Sequence, residues 1–307
     1  MIVVKYILKG LMAIFGALPL WLHRFNAGIL AFLVGDVFQY RRSTVVDNLT
    51  HAFPEKSEKE IRKITRQFYL HFADVVTEAF WFGGCHRSRR LARARLAEVV
   101  NPEEFLELDA GSPSMMMFCS HAGNWEIIGG LAADNSFSKK CPLPIDEKNL
   151  SVSFRAQSSR MVDEILRDNR LAPLHDPKNA PGYMESGKII RYILENRDKH
   201  FYYSMITDQR PYISGSDSIE VTFMGRRTRT MSAAASLARK GKMSVCYLKM
   251  TKKSRGHYLI EFVPICKDAS TMSVQEIMDR YYALMDEQLR EQPFNYLWTH
   301  RRWASIS

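Results

Sequence analysis

Cysteine is scarce and unpatterned in this chain of 307 residues. The five cysteines, at positions 85, 119, 141, 246 and 266, are widely separated, their number is odd, and no two of them form a C-x-x-C pair. Disulfide-stapled domains and structural zinc sites need closely spaced cysteines. The sequence therefore excludes both and is typical of a chain whose thiols stay reduced.

The apolar runs near the N-terminus are short. Residues 10–22 are uncharged but number only 13, against the roughly 20 that a helix needs to cross a bilayer unaided. A second apolar run covers residues 27–35, and no small-residue cleavage pattern of a signal peptide follows the first. We expect residues 1–40 to anchor the protein to a membrane, either spanning it or lying in one leaflet. A buried pair of amphipathic helices is the alternative.

Two common catalytic signatures are missing. The chain has no G-x-S-x-G motif, which excludes a serine hydrolase of that type. Residues 182–188, GYMESGK, fall one residue short of a P-loop, because Ile189 stands where Ser or Thr would bind magnesium. We therefore predict a helix over residues 188–195 and no nucleotide site.

Positive charge is in excess. The chain has 43 Lys and Arg against 33 Asp and Glu, a net charge of +10, which favours an anionic partner such as lipid headgroups, phosphorylated substrates or acidic proteins. The charge could also serve solubility alone. Nucleic acid is disfavoured, since no binding motif accompanies the charge. Five arginines between positions 87 and 95 indicate either contact with headgroups or an acidic carrier protein, or a solvated helix face.

The apolar periodicity favours an α/β fold. Ser57 with Glu60, and Ser273 with Glu276, form capping boxes that open helices with apolar stripes. Strands are predicted at 115–119, 201–206, 219–225, 244–248 and 258–263, and further helices at 153–170 and 231–239. We predict a single domain with a central mostly parallel or mixed sheet flanked by helices, behind the N-terminal membrane-anchoring helix.

Residues 114–130, SMMMFCSHAGNWEIIGG, set reactive side chains into an apolar frame. A buried strand at 115–119 is followed by His121, and Asn124 is placed to cap a helix with Glu126 in its first turn. Ligands gather at the carboxyl ends of strands in such units. We expect His121 and Glu126 to meet there, about one helical turn apart.

The pair suits removal of a proton from an alcohol. A neutral imidazole titrates near working pH, and a carboxylate on its other nitrogen fixes the tautomer and stabilises the imidazolium. No serine or cysteine nucleophile is needed if the substrate brings its own hydroxyl. Amides at the helix start are expected to stabilise an oxyanion.

The segment HAGNWE resembles the H-x4-D/E motif of glycerolipid acyltransferases and is particularly similar to the late acyltransferases of lipid A biosynthesis. The terminal segment WTHRRW, at 298–303, is similar to that family's W-x-H-R-R-W signature. Less specific sequence similarities extend the resemblance over residues 48–303. Without the family, the terminal segment is interpreted as an amphipathic stretch at the headgroup level.

The resemblance implies an acyltransferase domain at 41–307 after the anchor at 1–40. It implies transfer of a fatty acyl group from an acyl-carrier-protein thioester, or less readily acyl-CoA, to a hydroxyl of a lipid A precursor. The place of action would be the cytoplasmic face of the bacterial inner membrane, and no metal or organic cofactor is needed.

The resemblance also implies residue roles. His121 would be the base and Glu126 would orient it, while Arg170 and Asp208 would position substrate. The other substrate-binding candidates are Asn124, Arg155, which lacks the family's following proline, and Thr230, expected to open the helix 231–239. From the residues alone, Arg170 is equally a helix-terminal charge, Asp208 a turn residue and Thr230 a helix cap.

Three alternatives stay open. The acceptor could be another glycolipid, an aminolipid or a lysophospholipid, because the motif reports chemistry and not the acceptor. A hydrolase would use His121 to activate water. A non-catalytic, basic, membrane-bound binding protein would use neither residue of the pair.

Overall fold

The strand at the centre of the fold is made of five consecutive apolar residues, MMMFC, at Met115–Cys119. All five are buried, as expected for a strand covered on both faces of a sheet. Met115, Met117 and Cys119 pack into one apolar cluster, and Met116 and Phe118 into another. This alternation with a period of two places a hydrophobic core on each side of the sheet.

The computed structural model describes residues 2–86, 88–154, 159–209 and 218–303. Its helices are α1 (Ile2–Ala17), α2 (Leu20–Phe32), α3 (Arg42–Ala52), α4 (Glu58–Gly83), α5 (Ser88–Ala94), α6 (Pro102–Asp109), α7 (Arg160–Leu171), α8 (Ile189–Glu195), α9 (Ala233–Lys240) and α10 (Val274–Glu291). Its strands are β1 (Ala97–Val99), β2 (Met115–Cys119), β3 (Leu150–Phe154), β4 (Tyr183–Glu185), β5 (Tyr202–Ile206), β6 (Ser218–Phe223), β7 (Arg226–Met231), β8 (Ser244–Ser254) and β9 (His257–Cys266).

Seven strands form one mixed sheet in the order β1-β9-β8-β2-β5-β3-β4. The hairpin partners β8 and β9 are antiparallel, and every other pair in this sheet is parallel. Strands β6 and β7 form a separate antiparallel pair. The predicted α/β class, with a mixed central sheet between helices, is confirmed.

Both predicted capping boxes are present. The Ser57 side chain accepts from the Glu60 amide and the Glu60 carboxylate accepts from the Ser57 amide, which opens α4. Ser273 and Glu276 do the same for α10. These local signals set where the two longest helices begin.

Two predicted helix starts are wrong. The helix predicted at 153–170 begins only at Arg160, because Ser153 and Phe154 belong to strand β3 and pair with β4. Thr230 does not open a helix: it lies in β7, opposite Ile219 of β6, and α9 begins after Ser232. In both places pairing with another strand overrides the local pattern.

The N-terminal helices pack on the body with one face. Ala27 and Ala31 of α2 are buried against Ala73 of α4. In the part of the chain that the structure describes, no single helix is long and apolar enough to cross a membrane. One bent pair, Gly10–Ala17 with Leu20–Val37, passes by length and composition together, with a bend of 112°.

Candidate active site

Strand register brings His121 and Asp208 together. Strands β2 and β5 are parallel neighbours, and the last residues of the two, Cys119 and Ile206, stand opposite each other. His121 and Asp208 each follow two residues later, so they meet at the carboxyl edge of the sheet. This is where ligand sites form in open α/β sheets.

The Asp208 carboxylate holds both the backbone and the ring of His121. Its Oδ2 accepts from the His121 amide at 3.0 Å, and its Oδ1 lies 2.7 Å from Nδ1 of the ring. Because an ionised carboxylate only accepts, Nδ1 carries the ring proton. The Nε2 atom is then the acceptor, 3.1 Å from the Gln209 side-chain amide nitrogen. The ring therefore presents an unprotonated nitrogen, as a general base must.

Asp208 is fully buried yet ionised. Burial alone would raise its pKa, but the adjacent His121, with its two hydrogen bonds, and the nearby Arg302 guanidinium lower the pKa to about 2. A buried carboxylate with such partners stays charged over the working pH range.

Glu126 pairs with a different partner from the one expected. Its carboxylate accepts two hydrogen bonds from Arg170, from Nε at 2.9 Å and from Nη2 at 3.1 Å. The Phe154 ring lies 5.3 Å from the same guanidinium. A two-point pairing of this kind is stronger than a single bond to an imidazole. The carboxylate that orients His121 is therefore Asp208, and Glu126 holds Arg170 in place.

His121, Glu126 and Arg170 line one cavity of about 770 Å³. Gln209 also lines the cavity, as does Trp125, whose edge-on ring lies 5.3 Å from the His121 ring. Further polar lining residues are Ser153, Ser186 and Thr207. The remaining walls are mainly apolar and include Val152, Phe154, Ile189, Ile190, Met205, Ile206, Met231 and Leu237. The size and the mixed lining suit a ligand with a reactive polar end and an apolar body.

The other candidates lie elsewhere. Asn124 is fully buried and its Nδ2 donates to Glu78, and Thr230 is fully buried between Tyr282 and the Thr207 carbonyl. Both are therefore placed behind the cavity wall. Arg155 lies outside the described residues.

The two amides directly before the helix start are already used. The Gly123 amide donates to Asn295 Oδ1 at 2.9 Å, and the Asn124 amide contacts Met250 Sδ at 3.1 Å. Residues Trp125–Ala132 form a 3₁₀-helix, and the Asn124 side chain does not cap it. The backbone directly before the helix therefore faces the core at Gly123 and Asn124.

The terminal WTHRRW segment is part of the core. Trp298 is fully buried and Arg302 is 2% exposed, so the interpretation as a stretch at the headgroup level is wrong. Arg302 Nη2 donates to the Tyr282 hydroxyl, which is 2.7 Å from Thr230 Oγ1, and Thr230 in turn donates to the Thr207 carbonyl. This chain of hydrogen bonds ends one residue before Asp208.

Sequence reasoning missed Gln209 and Arg302. Gln209 directly follows Asp208, so the D-Q pair was the available signal. Arg302 belongs to the terminal signature, but no local pattern indicates that it is buried near Asp208. Its place depends on the packing of α10, which only the fold supplies.

An imidazole with a buried carboxylate on Nδ1, opening into a largely apolar cavity on an α/β sheet, defines a base-assisted enzyme for a lipid-like substrate. The sequence model of the bacterial lipid A biosynthesis acyltransferase family matches residues 1–305, and the chain belongs to this family. No curated protein matches the chain. The resemblance of the chain to the lipid A biosynthesis acyltransferases is thereby confirmed.

Membership makes the protein an acyltransferase, with an acyl donor and a lipid A precursor as acceptor. The hydrolase and the non-catalytic binding protein are set aside by the same finding.

Proposed function

We propose that the protein transfers a fatty acyl chain from an acyl-carrier-protein thioester, or alternatively acyl-CoA, to a hydroxyl of a lipid A precursor. His121 is the general base and Asp208 is its orienting carboxylate. The observation that carries this proposal is the 2.7 Å contact between His121 Nδ1 and Asp208, with Nε2 directed to the cavity. General bases of this kind contribute on the order of 10² to 10⁴ in rate.

In the proposed reaction, the oxygen of the acceptor hydroxyl attacks the carbonyl carbon of the thioester. At the same time His121 Nε2 takes the proton from that hydroxyl. A C–O bond forms, the C–S bond breaks, and the departing thiolate takes the proton back from the imidazolium. Asp208 stabilises the imidazolium in between and fixes its orientation. These steps need no metal or organic cofactor.

The apolar and polar parts of the cavity suit different parts of the substrates. Its apolar walls suit the acyl chain, while the Glu126–Arg170 pair suits a polar headgroup. Two N–H groups of Arg170 are bound by Glu126, which fixes the plane of the guanidinium so that its remaining N–H groups meet a phosphate in one orientation. The Gln209 amide, next to the base, is the donor best placed to stabilise the oxyanion. We assign Asn124 and Thr230 to support of the site from behind.

A membrane face is part of the proposal. On α2, Trp21, Phe25 and Phe32 are 65%, 63% and 58% exposed, on the side opposite Ala27 and Ala31. An exposed apolar surface of this kind suits insertion into one leaflet. We therefore keep residues 1–40 as the anchor of an acyltransferase domain at 41–307, acting at the cytoplasmic face of the bacterial inner membrane.

The test is mass spectrometry of lipid products after detergent-purified protein is incubated with acyl carrier protein thioester and an under-acylated lipid A precursor. Wild type is expected to add one acyl chain and His121→Ala none. His200→Ala is the matched control, since His200 is paired with Asp109 before β5, away from the cavity. If the protein transfers the chain only from acyl-CoA, the donor is acyl-CoA and not the acyl-carrier-protein thioester. If His121→Ala is as active as wild type, His121 is not the base.

A further inference from the structure

Glu78 of α4 lies behind the loop that carries His121, outside the cavity. It is 1% exposed, and its Oε2 accepts from Asn124 Nδ2 at 2.9 Å and from the Tyr258 hydroxyl at 2.7 Å. Asn124 and Tyr258 are themselves fully buried. Glu78 thus contacts the segment HAGNWE from the side opposite the substrate.

Two oxygen atoms of this contact lack a donor. Among the described residues, neither Glu78 Oε1 nor Asn124 Oδ1 has a hydrogen-bond partner, although both are buried. An ionised carboxylate has no proton to offer, so it leaves both acceptors unsatisfied, which is costly in a core. A proton on Oε1 supplies the missing donor to Asn124 Oδ1, and acid and amide then pair at two points.

The surroundings favour this proton. Burial raises the pKa of Glu78 to about 7, with Lys252 opposing the rise and Asp74 adding to it. Lys252 is engaged with Asp74 at 2.7 Å, and Arg255 also binds Asp74. Burial and Lys252 lower the pKa of His71, which leaves that ring neutral. Both cations bind the Asp74 carboxylate directly, and among the described residues neither forms an ion pair with Glu78, so burial outweighs the opposing effect of Lys252 on the pKa of Glu78.

We propose that Glu78 is a positioning residue that acts as a neutral carboxylic acid, pairing with Asn124 to fix the loop between β2 and the 3₁₀-helix. This inference rests on the proposed role of His121 as the base. Ionisation of Glu78 at alkaline pH replaces the donated hydrogen bond with repulsion between two acceptors. The loop then loosens and turnover falls, while substrate contacts in the cavity are untouched.

Two substitutions distinguish the effect of the proton on Glu78 from the effect of its side chain. Glu78→Gln keeps an acceptor for Asn124 and Tyr258 and donates permanently through its amide, so it mimics the neutral acid. Glu78→Ala removes the contact. Glu58→Gln, on the same helix but 88% exposed, is the matched control for loss of a carboxyl group.

The first measurement is infrared difference spectroscopy of the protonated carboxyl C=O band between about pH 6 and about pH 9. Wild type and Glu58→Gln are both expected to show the band, and the band is expected to fade as the pH rises. In Glu78→Gln the part of the band that comes from Glu78 should be absent. An unchanged band in Glu78→Gln would overturn the neutral acid.

The second measurement is amide hydrogen exchange of residues 120–126, with kcat and KM. Glu78→Ala is expected to exchange faster there and to lose roughly tenfold to a hundredfold in kcat with little change in KM. Glu78→Gln should exchange as wild type does and keep its kcat at alkaline pH. Wild-type exchange in Glu78→Ala would overturn the positioning role. Because spectroscopy and exchange need no substrate, a wrong acceptor or donor leaves both results readable.

Discussion

Asp208 and Glu78 are both buried carboxyl groups, and they contact opposite ends of the same loop, at His121 and Asn124. Their pKa values move in opposite directions, down for Asp208 and up for Glu78. Burial is the largest influence on each and acts in the same sense. The partners differ: Asp208 accepts two N–H groups of His121 and lies near Arg302, whereas the cations near Glu78 are paired with Asp74. Partners, and not depth, decide which carboxyl group is charged.

The two groups therefore suit different tasks. A carboxylate that stays ionised stabilises the imidazolium of a base during turnover. A carboxyl group that stays protonated can donate and so fix a loop.

The largest effect is expected for Asp208→Asn. The carboxamide keeps the shape but removes the charge that stabilises the imidazolium, so kcat should fall on the order of 10² to 10⁴ with KM little changed. Single-turnover acyl transfer measures this. Asp279→Asn, on the outer side of α10, is the control and should behave as wild type. A loss below tenfold would remove Asp208 from the catalytic pair.

Glu78 is expected to make stability depend on pH. Its folded-state pKa is above the value of 4.5, so the folded state binds the proton more tightly than the unfolded chain does. Its contribution is fully present below pH 4.5 and is lost as the pH rises through about 7, up to roughly 3 kcal/mol in the free energy of unfolding. Urea unfolding at about pH 5 and about pH 8 should show a larger loss in wild type than in Glu78→Gln, because Asp286, whose pKa burial raises to about 6, contributes a loss of the same sign to both proteins. Equal losses in the two proteins would contradict it.

Trp21 is expected to bind the membrane. Its side chain is 65% exposed, and insertion of a large apolar side chain is worth roughly 2 kcal/mol. Trp21→Ser should therefore reduce co-sedimentation with phospholipid vesicles by more than tenfold. Leu106→Ser, an exposed apolar residue of α6, is the control. If both variants bind vesicles as wild type does, the membrane face is wrongly placed.

Arg170 is expected to act on binding. Arg170→Lys keeps the charge but loses the two-point pairing with Glu126, so KM for the acceptor should rise roughly tenfold while kcat changes less. Steady-state kinetics at varied acceptor concentration measures this. Arg191→Lys, in the exposed pair with Glu195, controls for the substitution. A fall in kcat at unchanged KM would assign Arg170 to the chemical step.

The sequence predicted the parts of the site that depend on local pattern. The strand at 115–119, the capping boxes and the position of Asp208 at a strand end follow from runs of apolar residues and from short motifs. The pairing of His121 with Asp208 does not, because it depends on β5 lying next to β2, with more than 80 residues between them. Proximity in sequence favoured Glu126 instead.

Strand pairing also explains the misplaced elements. Thr230 is followed by alanines and leucine that predict a helix, yet β7 continues to Met231 because it pairs with β6. The polar sequence from Ser153 onward predicts a helix, yet Ser153 and Phe154 pair with β4 as part of β3. The sequence also could not predict which buried carboxyl group is charged. The pKa values of Asp208 and Glu78 shift in opposite directions because of partners that other elements supply.

The most direct test of the central claim is ¹⁵N NMR of the His121 ring, assigned by comparison with His121→Ala. Asp208 accepts from both the His121 amide and Nδ1, so in Asp208→Asn the single oxygen is expected to face the fixed amide and the NH₂ group to face Nδ1. We expect a proton on Nδ1 in wild type and in Glu126→Gln, and its transfer to Nε2 in Asp208→Asn. A ring that changes tautomer in Glu126→Gln and not in Asp208→Asn would contradict it.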